Sequence, residues 1–273
     1  MANRADEFAA GFEKTAGDYA YTDGLSDADW AWEFLRQNPE YKKDFRASRK
    51  KVSRPVSHAS GVRIHRQRGC PKDAAKWGLA SFVDPDLNAL QADIFWLNSA
   101  LTHTVSATSL SAELDENDTD LDLFRDRNCA AVLCAADRQE IVIRSQKSSI
   151  NVTLEGVNVL LQPVELTFHL QGFASVERGT KALNWTKSAL KQRRCRDMRS
   201  LSRTARLNRK KQLVALECHH KGGSLQDTAH VFRALRLTRL SWSAGGDEAL
   251  KKQVWRSRKS SLSLMRGGYR KFL

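Results

Sequence analysis

No stretch of this 273-residue sequence approaches the roughly 18 uncharged apolar residues that a membrane-spanning helix needs. Its opening residues, MANRADEFAAGFEK, lack a positive segment leading into an apolar one, so no export signal is read there. Paired metal-binding cysteines are missing as well. Of five cysteines none form a CxxC, and Cys129 and Cys134 lie on an apolar stretch. Cys218-His219-His220 comes nearest to a ligand cluster, but neighbours in sequence diverge on a helix. No nucleotide-binding loop, zinc-protease motif or convincing hydrolase triad occurs. These absences point to a soluble cytoplasmic protein with reduced thiols, no metal or cofactor, no membrane and no enzymatic activity.

What is present is positive charge, unevenly placed. From Arg178 to Leu273 there are 25 lysines and arginines against 5 acids, a net of +20, while residues 1–177 carry a net of −6. That asymmetry points the C-terminal third toward a polyanion, most simply nucleic acid. With 41% apolar residues the chain can bury one large core or two modest ones.

The stretch DWAWEFLRQNPEY begins a helix that Ser26 and Asp29 can close as a capping box, and Asn38-Pro39 ends it. Trp30, Ala31, Phe34 and Leu35 share one face, whereas Trp32 points away beside Arg36. Trp32 is therefore either covered by the later segment around Trp77 and Trp96 or, with Arg36, part of a partner surface. The basic run FRASRKKVSRPVSHASGVRIHRQRG reads as a linker or an extended DNA-contacting arm, the linker being favoured. Pro71 to Val105 completes a small, mostly helical first domain, 1–105. ELDENDTDLD then marks an acidic linker, 106–126, because no glycine or glutamate stands where an EF-hand loop needs it.

The remainder, 127–273, reads as a second domain, making the fold class α+β. Short β-branched segments across 129–170 predict an antiparallel sheet, followed by helices to the end. A helix-turn-helix-like DNA-binding region is expected over 207–266: one helix ends at Gly222-Gly223, and SLQDTAHVF opens with a Ser224–Asp227 capping box. Leu225, Ala229 and Phe232 share a face of that second helix, the small Ala229 allowing close approach. ALRLTRLSWSAGG intervenes before Asp247 caps a long helix to about Met265. On a 100° wheel with Leu250 at zero, Val254, Leu262 and Met265 lie between about 40° and 120°, with Trp255 near 140°. Lys252, Arg256, Lys259 and Ser263 lie between about 180° and 240°. This predicts a core face opposed by a row of donors suited to bases and phosphates in a major groove.

YAYTDGLSDADWAWEFLRQNPEYKKDF, AAKWGLASFVDP and ADIFWLN resemble the transcriptional-regulator-like domain of proteobacterial mobile-element regulators. SLQDTAHVF, Trp242 and LKKQVWRSRKSSLSLMRGGYRKFL, with the strands before them, resemble the helix-turn-helix-variant domain that follows it, the arrangement of FseA-type activators of integrative and conjugative elements. The resemblance implies binding of double-stranded promoter DNA and activation of excision or transfer genes. It also implies control by a small antiactivator; RNA polymerase is a further candidate partner, and the sequence does not give whether activation works by touching it. Carried over by position, Lys252, Arg256 and Lys259 fall in the DNA-facing helix, and Arg266, Tyr269 and Arg270 in the closing GGYR motif. The chain departs from the family at Leu216-Glu217-Cys218, where Leu-Asp-Gly is common, and in lacking a glycine after the SLQDTAHVF helix.

Two other readings compete. A tyrosine recombinase would use His230-x-x-Arg233, Trp255 and a nucleophilic Tyr269, but Tyr269 stands 14 residues past Trp255, where about nine is usual for that family. The basic residues could instead serve an acidic protein surface, making the chain an interaction protein that does not touch DNA.

Overall fold

A computed structural model of the chain describes residues 4–13, 16–48, 54–66, 71–101, 105–112, 121–122, 129–135, 138–145, 148–170, 173–190, 201–240 and 248–273. The packing divides the chain into two compact units, Met1–Asn38 with Arg199–Phe272, and Pro39–Met198. The first unit joins the beginning of the chain to its basic end.

The second unit is built on a seven-stranded sheet in the order β1-β2-β4-β5-β6-β3-β7. Its strands are β1 (Val56–Ser57), β2 (Arg63–Arg66), β3 (Val105–Ser111), β4 (Cys129–Cys134), β5 (Arg138–Ser145), β6 (Ser148–Gly156) and β7 (Val164–His169). β4, β5 and β6 form the expected antiparallel meander. The sheet as a whole is mixed, because β2 runs parallel to β4 and β3 parallel to β6. The expectation of a purely antiparallel sheet is corrected: hairpin signals find neighbours in sequence, but not a strand that enters from 40 residues earlier.

The same strands redraw two expected linkers. Arg63–Arg66, inside the basic run, is β2, and Arg63 Nη2 and His65 Nε2 approach the Asp93 carboxylate at 2.5 and 2.9 Å. Val105–Ser111, at the expected acidic linker, is β3, inserted between β6 and β7. Ala131, Leu133 and Val142 pack with Ala80 and Phe95 in one cluster, while Val132, Ile141, Val152 and Leu154 join another with Ala182. Strands covered on both faces are apolar at nearly every position, as CAAVLCA is and as Ile141-Val142-Ile143 are at the centre of β5.

The helices are α1 (Arg4–Glu13), α2 (Asp27–Leu35), α3 (Pro39–Ser48), α4 (Pro71–Ala75), α5 (Phe173–Leu190), α6 (Arg203–His220), α7 (Leu225–Ala234) and α8 (Glu248–Met265). Both capping boxes form: Ser26 Oγ accepts from the Asp29 amide at 3.2 Å and Ser224 Oγ from that of Asp227 at 3.1 Å. Each such cap stabilises its helix by about 1 kcal/mol. In the first unit α6, α7 and α8 pack on one another, α1 on α7, and α2 on α6, α8 and the 3₁₀ turn Gly268–Phe272. Among the described residues no helix is long and apolar enough to cross a membrane.

Candidate nucleic-acid interface

α8 is placed by contacts along its whole length. Leu250, Val254, Ser257, Ser261, Leu264 and Met265 are buried. On the wheel these span about 320° through zero to about 60°, rotated from the apolar arc expected from sequence. Two serines take core positions because small side chains let neighbouring helices come close, and Ser261 Oγ satisfies itself on the Arg258 carbonyl at 2.8 Å. Gln212 of α6 donates to Ser260 Oγ at 3.0 Å. At the far end Asn38 Nδ2 donates to the Met265 carbonyl at 2.9 Å, capping α8 from the N-terminal part of the chain.

Opposite this arc Lys252, Arg256, Lys259 and Ser263 are all exposed, as the wheel predicts. Arg266 and Arg270 are exposed beyond the helix end. Trp255 is 51% exposed rather than a core neighbour, and Lys259 Nζ lies 4.9 Å from its ring centroid. Lys252 approaches Glu248 Oε1 at 3.4 Å, a solvent-screened pair of little energetic weight. The face therefore presents three long cations and an aromatic plane to solvent along about 10 Å of helix, or about 16 Å counting on to Ser263 at 1.5 Å per residue.

Arg258, near 80° on the wheel and so outside this row, turns inward. Its Nη2 lies 2.8 Å from the Gly223 carbonyl, 2.9 Å from that of Ser224 and 2.9 Å from Thr228 Oγ1. One guanidinium thus ties α8 to the turn joining α6 and α7. That turn is set by Gly222 in the left-handed region at φ 77°, with the Gly223 amide donating to the Cys218 carbonyl at 2.8 Å.

The structure also locates the remaining candidates. Trp30 and Trp32 are both wholly buried, because α2 is covered on both sides. Arg36 Nε donates to the buried Glu33 carboxylate at 2.7 Å, and the adjacent carboxylate and Tyr21 raise its already high pKa against the opposing effect of burial. Trp32 is thus part of the first unit's interior, covered rather than open, and Arg36 is half-buried. Nearby, the Tyr19 hydroxyl donates to Glu217, whose carboxyl burial pushes up in pKa. Tyr269 is also wholly buried, and burial raises the pKa of its hydroxyl. A nucleophile must meet a DNA phosphate, so this burial weighs against the recombinase reading. Cys218 is buried with its thiol pushed up to about 12, chiefly by burial, while His219 and His220 are exposed. The three do not converge on a metal. Trp242 and Asp247 lie outside the described residues.

Two family models match the chain. Residues 14–80 match the Proteobacterial transcriptional regulator-like domain, and residues 170–273 match the family described as T6SS, Transcription factor, DNA binding domain. No curated protein and no solved structure matches. The second match spans α6, α7 and α8, the elements that carry the cationic face. Together the two support a DNA-binding transcription regulator.

Proposed function

We propose that the chain binds double-stranded promoter DNA sequence-specifically and reads it with the solvent face of α8. The observation that carries this is the exposed row Lys252, Arg256 and Lys259, set opposite the buried arc of a helix held at both ends. A major groove about 12 Å wide admits such a helix, and 16 Å of it follows on the order of five base-pair steps. Arg256 can meet guanine O6 and N7 with two parallel hydrogen bonds, and Lys252 and Lys259 can take base edges or phosphates. Ser263 suits either edge, while Arg266 and Arg270 reach the flanking backbone.

In this reading α6 and α7 form the supporting part of a helix-turn-helix variant, with Arg258 bracing the turn against the reading helix. The resemblance to FseA-type regulators extends the proposal to activation of the excision and transfer genes of a mobile element. RNA polymerase and a small antiactivator are then the protein partners.

Selection of bound sequences from a random DNA pool, followed by gel shifts across a salt series, tests the reading. The triple variant Lys252→Ala/Arg256→Ala/Lys259→Ala should lose specific binding. Its plot of log affinity against log salt should flatten by roughly 2 to 3, near 0.9 for each phosphate contact removed. Unchanged affinity and slope in a folded triple variant would sink the assignment to α8.

A further inference from the structure

The start of α6, the turn that follows α7 and one side chain of α8 enclose a groove of about 960 Å³. Its position differs from that of the proposed DNA-reading row: α8 contributes Gln253, which lies near 300° on the same wheel. Six cationic side chains line it, Arg203, Arg206, Lys210, Lys211, Arg236 and Arg239, against one carboxylate, Asp23. Asp23 engages Lys210 at 3.5 Å, and its backbone carbonyl accepts from Arg206 at 2.9 Å. The other four cations are left without a carboxylate partner among the described residues of the groove.

Two features favour an anion in the groove over simple solvation. Lys211 is only 7% exposed, yet no described carboxylate pairs with its ammonium. The ammonium is partly desolvated, and a counter-ion offsets the cost of that desolvation. Desolvation lowers its pKa, which is the direction a bound anion would reverse. Finally, Arg236 occupies the left-handed position after α7 at φ 53°, the place that Gly222 fills after α6. The surrounding bonds are those of a glycine-terminated helix end, Arg236 amide to Arg233 carbonyl at 2.9 Å and Leu237 amide to Phe232 carbonyl at 2.7 Å. An arginine kept where glycine is unstrained indicates a use for its side chain.

Leu207, Leu235 and Leu240 add an apolar wall to the same groove. Cations beside aliphatic side chains suit a molecule with clustered phosphates and a ring or chain attached. The volume is that of a small-molecule site. A DNA backbone presents its phosphates on a convex surface, whereas Lys211 sits below the protein surface.

We propose that this groove binds a phosphorylated small molecule, with its phosphate oxygens on Lys211, Arg203, Arg236 and Arg239 and its apolar part against Leu207 and Leu240. Such a ligand would act as an effector of the regulator. Pyrophosphate and ATP are the probes, measured against the full-length protein without DNA by equilibrium dialysis and thermal melting. Both should bind and raise Tm. Lys211→Met removes the buried charge and Arg236→Gly relieves the left-handed backbone, so each variant should melt at or above the wild-type temperature. Lys211→Met should nevertheless weaken binding at least tenfold, and Arg236→Gly several-fold. Failure of both probes to bind at millimolar concentration, or wild-type affinity in both variants, would overturn the proposal. So would a Lys211→Met variant that loses promoter affinity while pyrophosphate never binds, because the groove would then serve the DNA backbone.

Discussion

Arg256 and Arg258 are two residues apart on one helix, and replacing either by alanine removes the same charge. Their surroundings predict opposite consequences. Arg256 is exposed on the solvent face, so its loss should change stability by less than about 0.5 kcal/mol. Its loss from a two-bond contact with guanine should weaken DNA binding by about 1–3 kcal/mol, roughly 5- to 150-fold, and relax specificity at one base pair. Arg258 sits within hydrogen-bond distance of two carbonyls and a hydroxyl from the α6–α7 turn. Hydrogen bonds to a charged donor contribute about 1.5–3 kcal/mol, and Arg258 is half-buried, so Arg258→Ala should cost about 2 kcal/mol. At about 2–4 °C per kcal/mol that lowers Tm by roughly 4–8 °C. Chemical denaturation and calorimetry give the stability, and gel shifts below both melting transitions give the affinity. Equal stability losses in the two variants, or an affinity loss in Arg258→Ala as large as in Arg256→Ala with no drop in Tm, would refute the division of α8 into a reading face and a bracing face.

Other consequences follow from the buried groups. Glu217 has a raised folded-state pKa, so its contribution favours the native state at low pH and is lost as pH rises through that value; Glu217→Gln, which keeps an acceptor for Tyr19, should raise Tm at pH 8 more than at pH 4.5. Asp93 behaves oppositely. Although burial pushes its carboxyl up, the hydrogen bonds from Arg63 and His65 outweigh that and hold it below the ordinary range. Its stabilisation is present above the unfolded pKa and lost as pH falls through the folded one, so Asp93→Asn should flatten the acid limb of the stability curve and lower stability at pH 7. A Cβ on Gly223 would stand 2.7 Å from the Phe8 ring, so Gly223→Ala should destabilise by about 1–3 kcal/mol in denaturant titrations unless Phe8 is also cut back. Phe8→Ala/Gly223→Ala should then cost less than the sum of the two single losses.

Much of the local structure is legible in the sequence. Both capping boxes, the Gly222-Gly223 helix end, the start and end of α8 and the meander β4 to β6 rest on neighbours within a few residues, where side chain and backbone constrain each other directly. The outward row Lys252, Arg256 and Lys259 is readable for the same reason, since helical period alone puts them on one side. The net charge of +20 in the last third is a property of composition and points to a polyanion before any fold is known. Tertiary packing decided the rest. Nothing local tells β3 to insert between β6 and β7, or residues before Asn38 to pack with those after Arg199, because these pairings are chosen by the burial each offers against all alternatives. Trp32 shows the difference: its place on α2 follows from the helical period, but whether it meets solvent or core depended on which elements came to cover that side. Arg258 shows it again: the helical period sets it apart from the outward row, but only the arrival of the α6–α7 turn beside α8 makes it a brace.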